Sequence, residues 1–316
     1  MTPLSSTPPT PTPPPARRRE RADLLGPAAL AALGGVEFVA RKVVEGFLLG
    51  LHRSPHRGFS AEFAELRAYQ AGDDLRYIDW RMFGRSDRFY VKQFEEETNL
   101  QAHILLDISE SMGWSSTVEL PPKLDYARYL GASIALVLLR QGDAVGLVTF
   151  ADTATDVARP RGGRRQWHEL ARRLQGTEAR GGTSAAGALR DVAVRLRRAG
   201  LVILISDLLV DPDETRTALR YLRHRGHEVL VFHVLDPGER DLPPTAEAVF
   251  YDPETGQELL ANVPDIRSEY RAAVEEALRE WRHRLRPDGI DYEVVDTSRP
   301  LAPALRAYLR KRERLG

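Results

Sequence analysis

The chain has 316 residues, 42% hydrophobic and 28% charged, a balance that fits one large or two modest folded domains with a substantial core. Lys+Arg and Asp+Glu both number 45, so net charge gives no argument for a nucleic-acid or anionic-membrane partner. The absence of Cys excludes disulfides, thiolate catalysis and zinc–thiolate sites, and it accords with a cytoplasmic address.

Residues 2–15 are mostly Pro, Thr and Ser, so 1–21 are read as a disordered, partly polyproline-like tail without the apolar stretch of a signal peptide. Residues 22–51 carry Leu24, Leu25, Leu30, Leu33, Val36, Val39, Val43 and Phe47 at helical spacings and predict one or two helices interrupted near Gly34-Gly35. No segment approaches the roughly 18–20 continuous apolar residues of a membrane span. Residues 52–100 are rich in aromatics, Arg and Asp. There Tyr90-Val91-Lys92-Gln93-Phe94 alternates like a strand, which predicts a small strand-containing subdomain.

From 101 to 316 the pattern is α/β, with a core over 101–236 and a C-terminal extension over 237–316. Ala102 to Asp107 reads as a strand, and Leu124, Ala127, Leu130, Ile134 and Leu138 keep helical spacing. Val145 to Phe150 is a second strand, and Val157 follows a hairpin. Leu170 and Leu174 mark a short helix; Leu189, Val192 and Leu196 mark another. Leu201 to Ile205 is a continuous apolar run, the kind buried on both faces of a parallel sheet. Asp211-Pro212 predicts an N-cap with Pro in the first turn of a helix that ends at Gly226. Val229 to Val234 is the next strand. A long amphipathic helix through Ile266, Trp281 and Leu285, a strand from Ile290 to Val295 and a helix over 301–313 complete the chain. Strands alternating with helices predict a doubly wound, mostly parallel sheet, in which ligands bind beyond the carboxyl ends of the strands.

Chemistry-bearing residues fall at those ends. Asp107, Ser109 and Ser111 follow the first strand at i, i+2 and i+4, and an extended backbone would turn all three side chains to one side. Asp207 ends the strand Val202-Ile203-Leu204-Ile205-Ser206, and Gly181-Gly182-Thr183-Ser184 forms a glycine-rich loop opening a helix. In a doubly wound sheet Asp107, Ser109, Ser111, Thr183 and Asp207 reach one edge, where they can surround a hard divalent cation, Mg²⁺ or Mn²⁺. Glu110 alternates to the opposite side, and Met112 is read as a core residue.

Asp-x-Ser-x-Ser, then Thr, then Asp in this order resembles the metal-ion-dependent adhesion site of von Willebrand factor A-like domains. The segment Gly58-Phe59-Ser60-Ala61-Glu62-Phe63-Ala64-Glu65-Leu66-Arg67-Ala68-Tyr69-Gln70-Ala71-Gly72-Asp73-Asp74-Leu75-Arg76-Tyr77-Ile78-Asp79-Trp80 is similar to the signature of a bacterial family known as domain of unknown function 58, in which it directly precedes such a domain. The resemblance implies a non-enzymatic, metal-dependent protein-binding module, with the hydroxyls of Ser109, Ser111 and Thr183 on the metal and Asp107 and Asp207 acting through water. It also implies a partner that supplies a Glu or Asp to an open metal position. Family members are often encoded beside MoxR-type AAA+ ATPases, so such an ATPase or its client is the expected partner in chaperone-like assembly or maturation. Within the signature, Asp73, Asp74, Arg76 and Asp79 are read as a structural network rather than a second site.

Three other readings stand beside this one. A Mg²⁺-dependent hydrolase or phosphatase using Asp107 as nucleophile would want a second carboxylate at position 109, which is Ser, and a paired general base. A nucleotide-binding protein would want a Gly-x-x-x-x-Gly-Lys-Ser/Thr loop, which the chain lacks. A structural scaffold with a vestigial site would not be expected to keep all five ligand types.

Overall fold

The computed structural model describes residues 34–51, the short pieces 66–69, 82–84 and 88–92, and 100–313 apart from 183–184, 197, 243–244 and 252–256, together with the isolated residues 26 and 29. The expected tail over 1–21, most of the 58–80 signature and Thr183 therefore lie outside the described residues.

Helix α1 (Val36–Leu51) is followed by the short antiparallel pair β1 (Leu66–Ala68) and β2 (Tyr90–Lys92). Then come β3 (Gln101–Asp107), α2 (Lys123–Arg140), β4 (Ala144–Phe150), β5 (Ala154–Arg161), α3 (Arg164–Gln175) and α4 (Ala185–Arg195). The chain continues through β6 (Leu201–Ser206), α5 (Pro212–His224), β7 (Glu228–Leu235) and the one-turn helix α6 (Pro237–Arg240). A hairpin of β8 (Glu247–Tyr251) and β9 (Glu258–Asn262) leads to α7 (Val263–Leu285), β10 (Asp291–Asp296) and α8 (Ala302–Glu313).

Six strands form the central sheet in the order β10-β7-β6-β3-β4-β5, parallel except for the β4–β5 hairpin. The fold class is the expected one: α/β, with a mostly parallel sheet and helices on both faces. Alternation along β3 explains the layering. Ile104 and Leu106 face a core shared with α1, α2, α3 and α8, while Leu105 faces a second core shared with α4, α5 and α7. In α1, Val36, Val39, Val43 and Phe47 recur at helical spacing, and this buried stripe joins the first core. Asp211 caps α5, accepting from the Asp213 and Glu214 N–H groups at 3.0 and 2.8 Å, with Pro212 in the first turn as the sequence predicts.

The β8–β9 hairpin and α6 were not expected. The hairpin stands apart from the main sheet, and Val249, Leu259 and Leu260 are exposed on it. Ala248 and Phe250 are only half-buried, so the period of two that betrays strands set against a core is weak there.

The order of strands sets where a ligand can sit. From β3 the chain moves to β4 and β5 on one side, then crosses to β6, β7 and β10 on the other. The crevice left at this reversal lies between the carboxyl ends of β3 and β6, which is the ligand-binding position of doubly wound sheets.

At the opposite end of the sheet, His103 on β3 is buried close to buried His227. Burial first, and the His227 ring second, push His103 down from 6.5 to about 4. A folded-state value below the unfolded one means stability is full above pH 6.5 and lost as pH falls toward 4. That loss amounts to roughly 3 kcal/mol. Because other buried groups titrate over the same range, the test is the difference between the two proteins: by urea unfolding, the stability of His103→Phe relative to the wild type is expected to rise by roughly 3 kcal/mol between pH 6.5 and pH 4. An unchanged slope in the variant would assign the acid sensitivity to other groups.

Candidate metal centre

Asp107 is the last residue of β3 and Asp207 directly follows β6, so the switch-point crevice has a carboxylate on each side. Both side chains are buried. The Asp107 carboxylate accepts from the Ser109 backbone N–H at 2.9 Å and from the Ser206 hydroxyl at 2.6 Å. Burial, then the neighbouring Asp207 charge, push its carboxyl up to about 6. Asp207 accepts from the Leu209 N–H at 3.3 Å and from the Lys123 ammonium at 2.8 Å.

Ser109 and Ser111 do converge, but not by the strand periodicity the sequence implies. The extended backbone ends at Asp107, and residues 110–113 form a 3-10 turn for which Ser109 is the N-cap. The turn brings the two buried hydroxyls to 3.1 Å from each other. The physical reason is the Ser109 N–H bond to Asp107, which bends the chain at once after the strand. Met112 is fully buried, as expected of a core residue; Glu110 is exposed, but from the 3-10 turn and not by alternation along a strand.

The glycine-rich loop is tied to the same edge. The Arg180 N–H donates to the Ile108 carbonyl at 2.7 Å and the Glu110 N–H to the Gly181 carbonyl at 3.2 Å. Gly181 has φ +82°, the left-handed region glycine favours, and a Cβ there would meet the Asp152 carboxylate at 3.1 Å. Thus the chain immediately before Thr183 lies against the Asp107–Ser111 loop. The structure brings Asp107, Ser109, Ser111 and Asp207 together; Thr183 itself is outside the described residues.

Sequence reasoning missed Lys123, Ser206 and Glu239. Lys123, the first residue of α2, is fully buried and pairs with both Asp207 and Glu239 of α6. Burial alone would lower its ammonium, but the Asp207 and Glu239 carboxylates outweigh that and hold it above its ordinary value. The available signal was small. Lys123 is one of four lysines in a chain of 41 arginines, and it opens a helix, where positive charge opposes the helix dipole. Glu239 is fixed in turn by a capping box, its carboxylate accepting from the Asp236 N–H at 3.0 Å. Leu208, directly after Asp207, has φ +53°. This left-handed backbone costs a Leu about 1–2 kcal/mol and turns the chain sharply beyond the carboxylate.

Asp207 and Glu239 thus share one buried ammonium, while the neighbouring Asp107 carboxylate is held by the Ser109 N–H and the Ser206 hydroxyl without a cation of its own among the described residues. His233 adds no charge near neutrality, because burial lowers it to about 4. Among the described residues no three His, Asp or Glu side chains form a ready metal cluster. The donor set is two carboxylates with paired hydroxyls, all hard oxygens, and Asp107 among them has no neighbouring cation in the described residues. That composition fits a hard divalent cation.

The family described as "Protein of unknown function DUF58" matches residues 65–280. An uncharacterised protein of Mycobacterium bovis, with counterparts in two strains of Mycobacterium tuberculosis, is 31% identical over 243 residues, 75% of this chain and 74% of the relative. Among solved structures, BatB from Bacteroides thetaiotaomicron is similar at TM-score 0.45 and 20% identity, covering 68% of this chain and 99% of that one. The VWA domain of SpRpn10 is similar at TM-score 0.39 and 12% identity, covering 66% and 94%. These two are distant likenesses. Among the described residues no helix is long and apolar enough to cross a membrane.

Proposed function

This chain belongs to the family of proteins of unknown function DUF58, and from that premise we propose that it is a non-enzymatic protein-interaction module whose contact point is a Mg²⁺ or Mn²⁺ site. The observation that carries this reading is the meeting of Asp107, Ser109, Ser111 and Asp207 at the switch point, where the one buried ammonium pairs with Asp207 and Glu239 and leaves Asp107 without a cation. Ser109, Ser111 and Thr183 would hold the cation through their hydroxyls, and Asp107 and Asp207 would hold its waters. A bound cation supplies an electrophilic point that accepts a carboxylate from a partner. Trp114, 45% exposed, and Leu209, 54% exposed, directly follow the two ligand-bearing loops and would add apolar contact around that point.

The partner is a protein presenting Glu or Asp, by family resemblance a MoxR-type AAA+ ATPase or its client, met in the cytoplasm. Catalysis is not part of this reading. Lys123 is a buried ammonium whose protons are directed at two carboxylates, so it is unsuited to act as a general base. A divalent-dependent phosphatase activity lost in Asp107→Asn would overturn that view.

Millimolar Mg²⁺ is expected to raise the melting temperature. Ligand at about a hundred times Kd stabilises by about 2.7 kcal/mol, roughly 5–10 °C at this size. The Ser109→Ala/Ser111→Ala double variant is expected to lose the shift. Equal melting of the wild type with and without Mg²⁺ would refute the site. Co-purification of the wild type with its partner, with and without a chelator, tests the bridge; a complex indifferent both to chelator and to Asp207→Ala would refute metal-mediated recognition.

A further inference from the structure

We propose that Lys123 is a permanent internal cation that competes with the divalent ion for Asp207 and so sets how tightly the metal is held; this rests on the metal-site reading above. The ammonium is not a surface charge that happens to lie nearby. Lys123 is fully buried, and it opens α2, the helix that follows the loop running from Asp107 through Trp114. Its own backbone N–H donates to the Trp114 carbonyl at 3.1 Å, which fixes the start of α2 to that loop. The Nζ donates to Asp207 at 2.8 Å and to Glu239.

Two consequences follow from elementary electrostatics. An ammonium on Asp207 withdraws part of the negative charge that a metal would feel, and a buried fixed charge is screened far less than one at the surface. The metal is therefore held more weakly than the hydroxyl and carboxylate set alone would hold it, which keeps it electrophilic toward a partner's carboxylate. Glu239 works in the opposite direction. By sharing the ammonium it loosens the grip of Lys123 on Asp207, and it is held for that purpose by the Asp236 capping box. Asp236 also accepts from the Ser116 N–H at 3.1 Å, and the Tyr270 hydroxyl donates to the Glu239 carbonyl at 2.8 Å. The Trp114 loop, α6 and α7 are thus mechanically attached to the carboxylate that shares the ammonium.

The two partners of the ammonium predict opposite effects, and this makes the proposal testable. Mg²⁺ is titrated calorimetrically into the full chain, with Mg²⁺-dependent melting as the second readout. Lys123→Met removes the competitor and is expected to tighten Mg²⁺ binding by on the order of tenfold or more, while lowering the melting temperature of the metal-free protein. Glu239→Gln leaves the ammonium to Asp207 alone and is expected to weaken Mg²⁺ binding severalfold. If Lys123→Met does not fold, Glu239→Gln decides by itself. Wild-type affinity in Glu239→Gln, equal affinities across the three proteins, or changes of the reverse sign overturn the proposal while leaving the metal site standing. A flat titration for the wild type and for both variants overturns the metal-site reading instead.

Discussion

In metal-free buffer near pH 7.5, Asp207→Ala is expected to melt far below the wild type, while Asp107→Asn melts above it. The two carboxylates flank one crevice, yet their energetics differ in sign. Asp207 is a partner of a fully buried ammonium, and Glu239, the ammonium's other partner, is itself partly exposed. Removing one member of a buried pair costs about 3–5 kcal/mol, because the remaining charge stays desolvated. At roughly 2–4 °C per kcal/mol the fall is on the order of 10 °C. Asp107 has no cation in the described structure, and its carboxyl is raised from 3.8 to about 6. A folded value above the unfolded one means that its contribution is full below pH 3.8 and is lost as pH rises through 6. At pH 7.5 the ionised group therefore costs on the order of 3 kcal/mol. Asn carries no charge and keeps one acceptor for the Ser109 N–H, but it meets the Ser206 hydroxyl less well, so a net gain of about 1–2 kcal/mol is expected. The gain should shrink toward pH 5, where Asp107 is protonated in the wild type. Neither variant should respond to Mg²⁺. Thermal unfolding at both pH values, with chelator and with Mg²⁺, checks all of this; a parallel loss of stability in the two variants would show that Asp107 is a structural carboxylate.

That opposition was only half legible in the sequence. The positions of Asp107 and Asp207 could be read because β3 and β6 are continuous apolar runs, and such runs, alternating with helices, must lie side by side with their carboxyl ends on one edge. The α5 start could be read because Asp211-Pro212 satisfies the free N–H groups of a first turn by itself. Contacts made across long separations could not be read. Lys123 meets Asp207 across 84 positions and Glu239 across 116, and Ser206 meets Asp107 across 99, with no local pattern to announce them. The geometry of Ser111 is hidden for a local reason: strand periodicity stops at Asp107, where the chain already turns. The 58–80 signature led to the family but contributes only Leu66–Tyr69 to the described structure.

Gly200→Ala is expected to be among the most damaging single substitutions in the sheet, although Gly200 is far from the candidate site. A Cβ at this position would stand 2.1 Å from the Gln101 carbonyl oxygen and 3.1 Å from its carbon. The obstacle is backbone, so no side chain can swing away. On the other side the Gly200 carbonyl accepts from the Glu228 N–H at 2.9 Å, which ties the start of β7 to the residue just before β6. The clash can be relieved only by parting β6 from β3 where their pairing begins, at Ala102 opposite Leu201. Overpacking against fixed atoms costs about 3 kcal/mol or more, and the melting temperature should fall by about 6–12 °C. Gly131→Ala is the control inside the same core. Its Cβ would meet Ile205 and Ile104 at 3.5 and 3.6 Å, ordinary contact distances, and Ala suits the interior of α2 better than Gly by up to about 1 kcal/mol. That variant should melt at or above the wild type. The same pairing of β3 with β6 sets the distance between Asp107 and Asp207, so a Gly200→Ala protein that still folds should show a smaller Mg²⁺-induced shift, and Gly131→Ala a normal one. Wild-type melting of Gly200→Ala would mean that β3 and β6 can separate at that end freely, and then their pairing could not be what holds the two carboxylates in place.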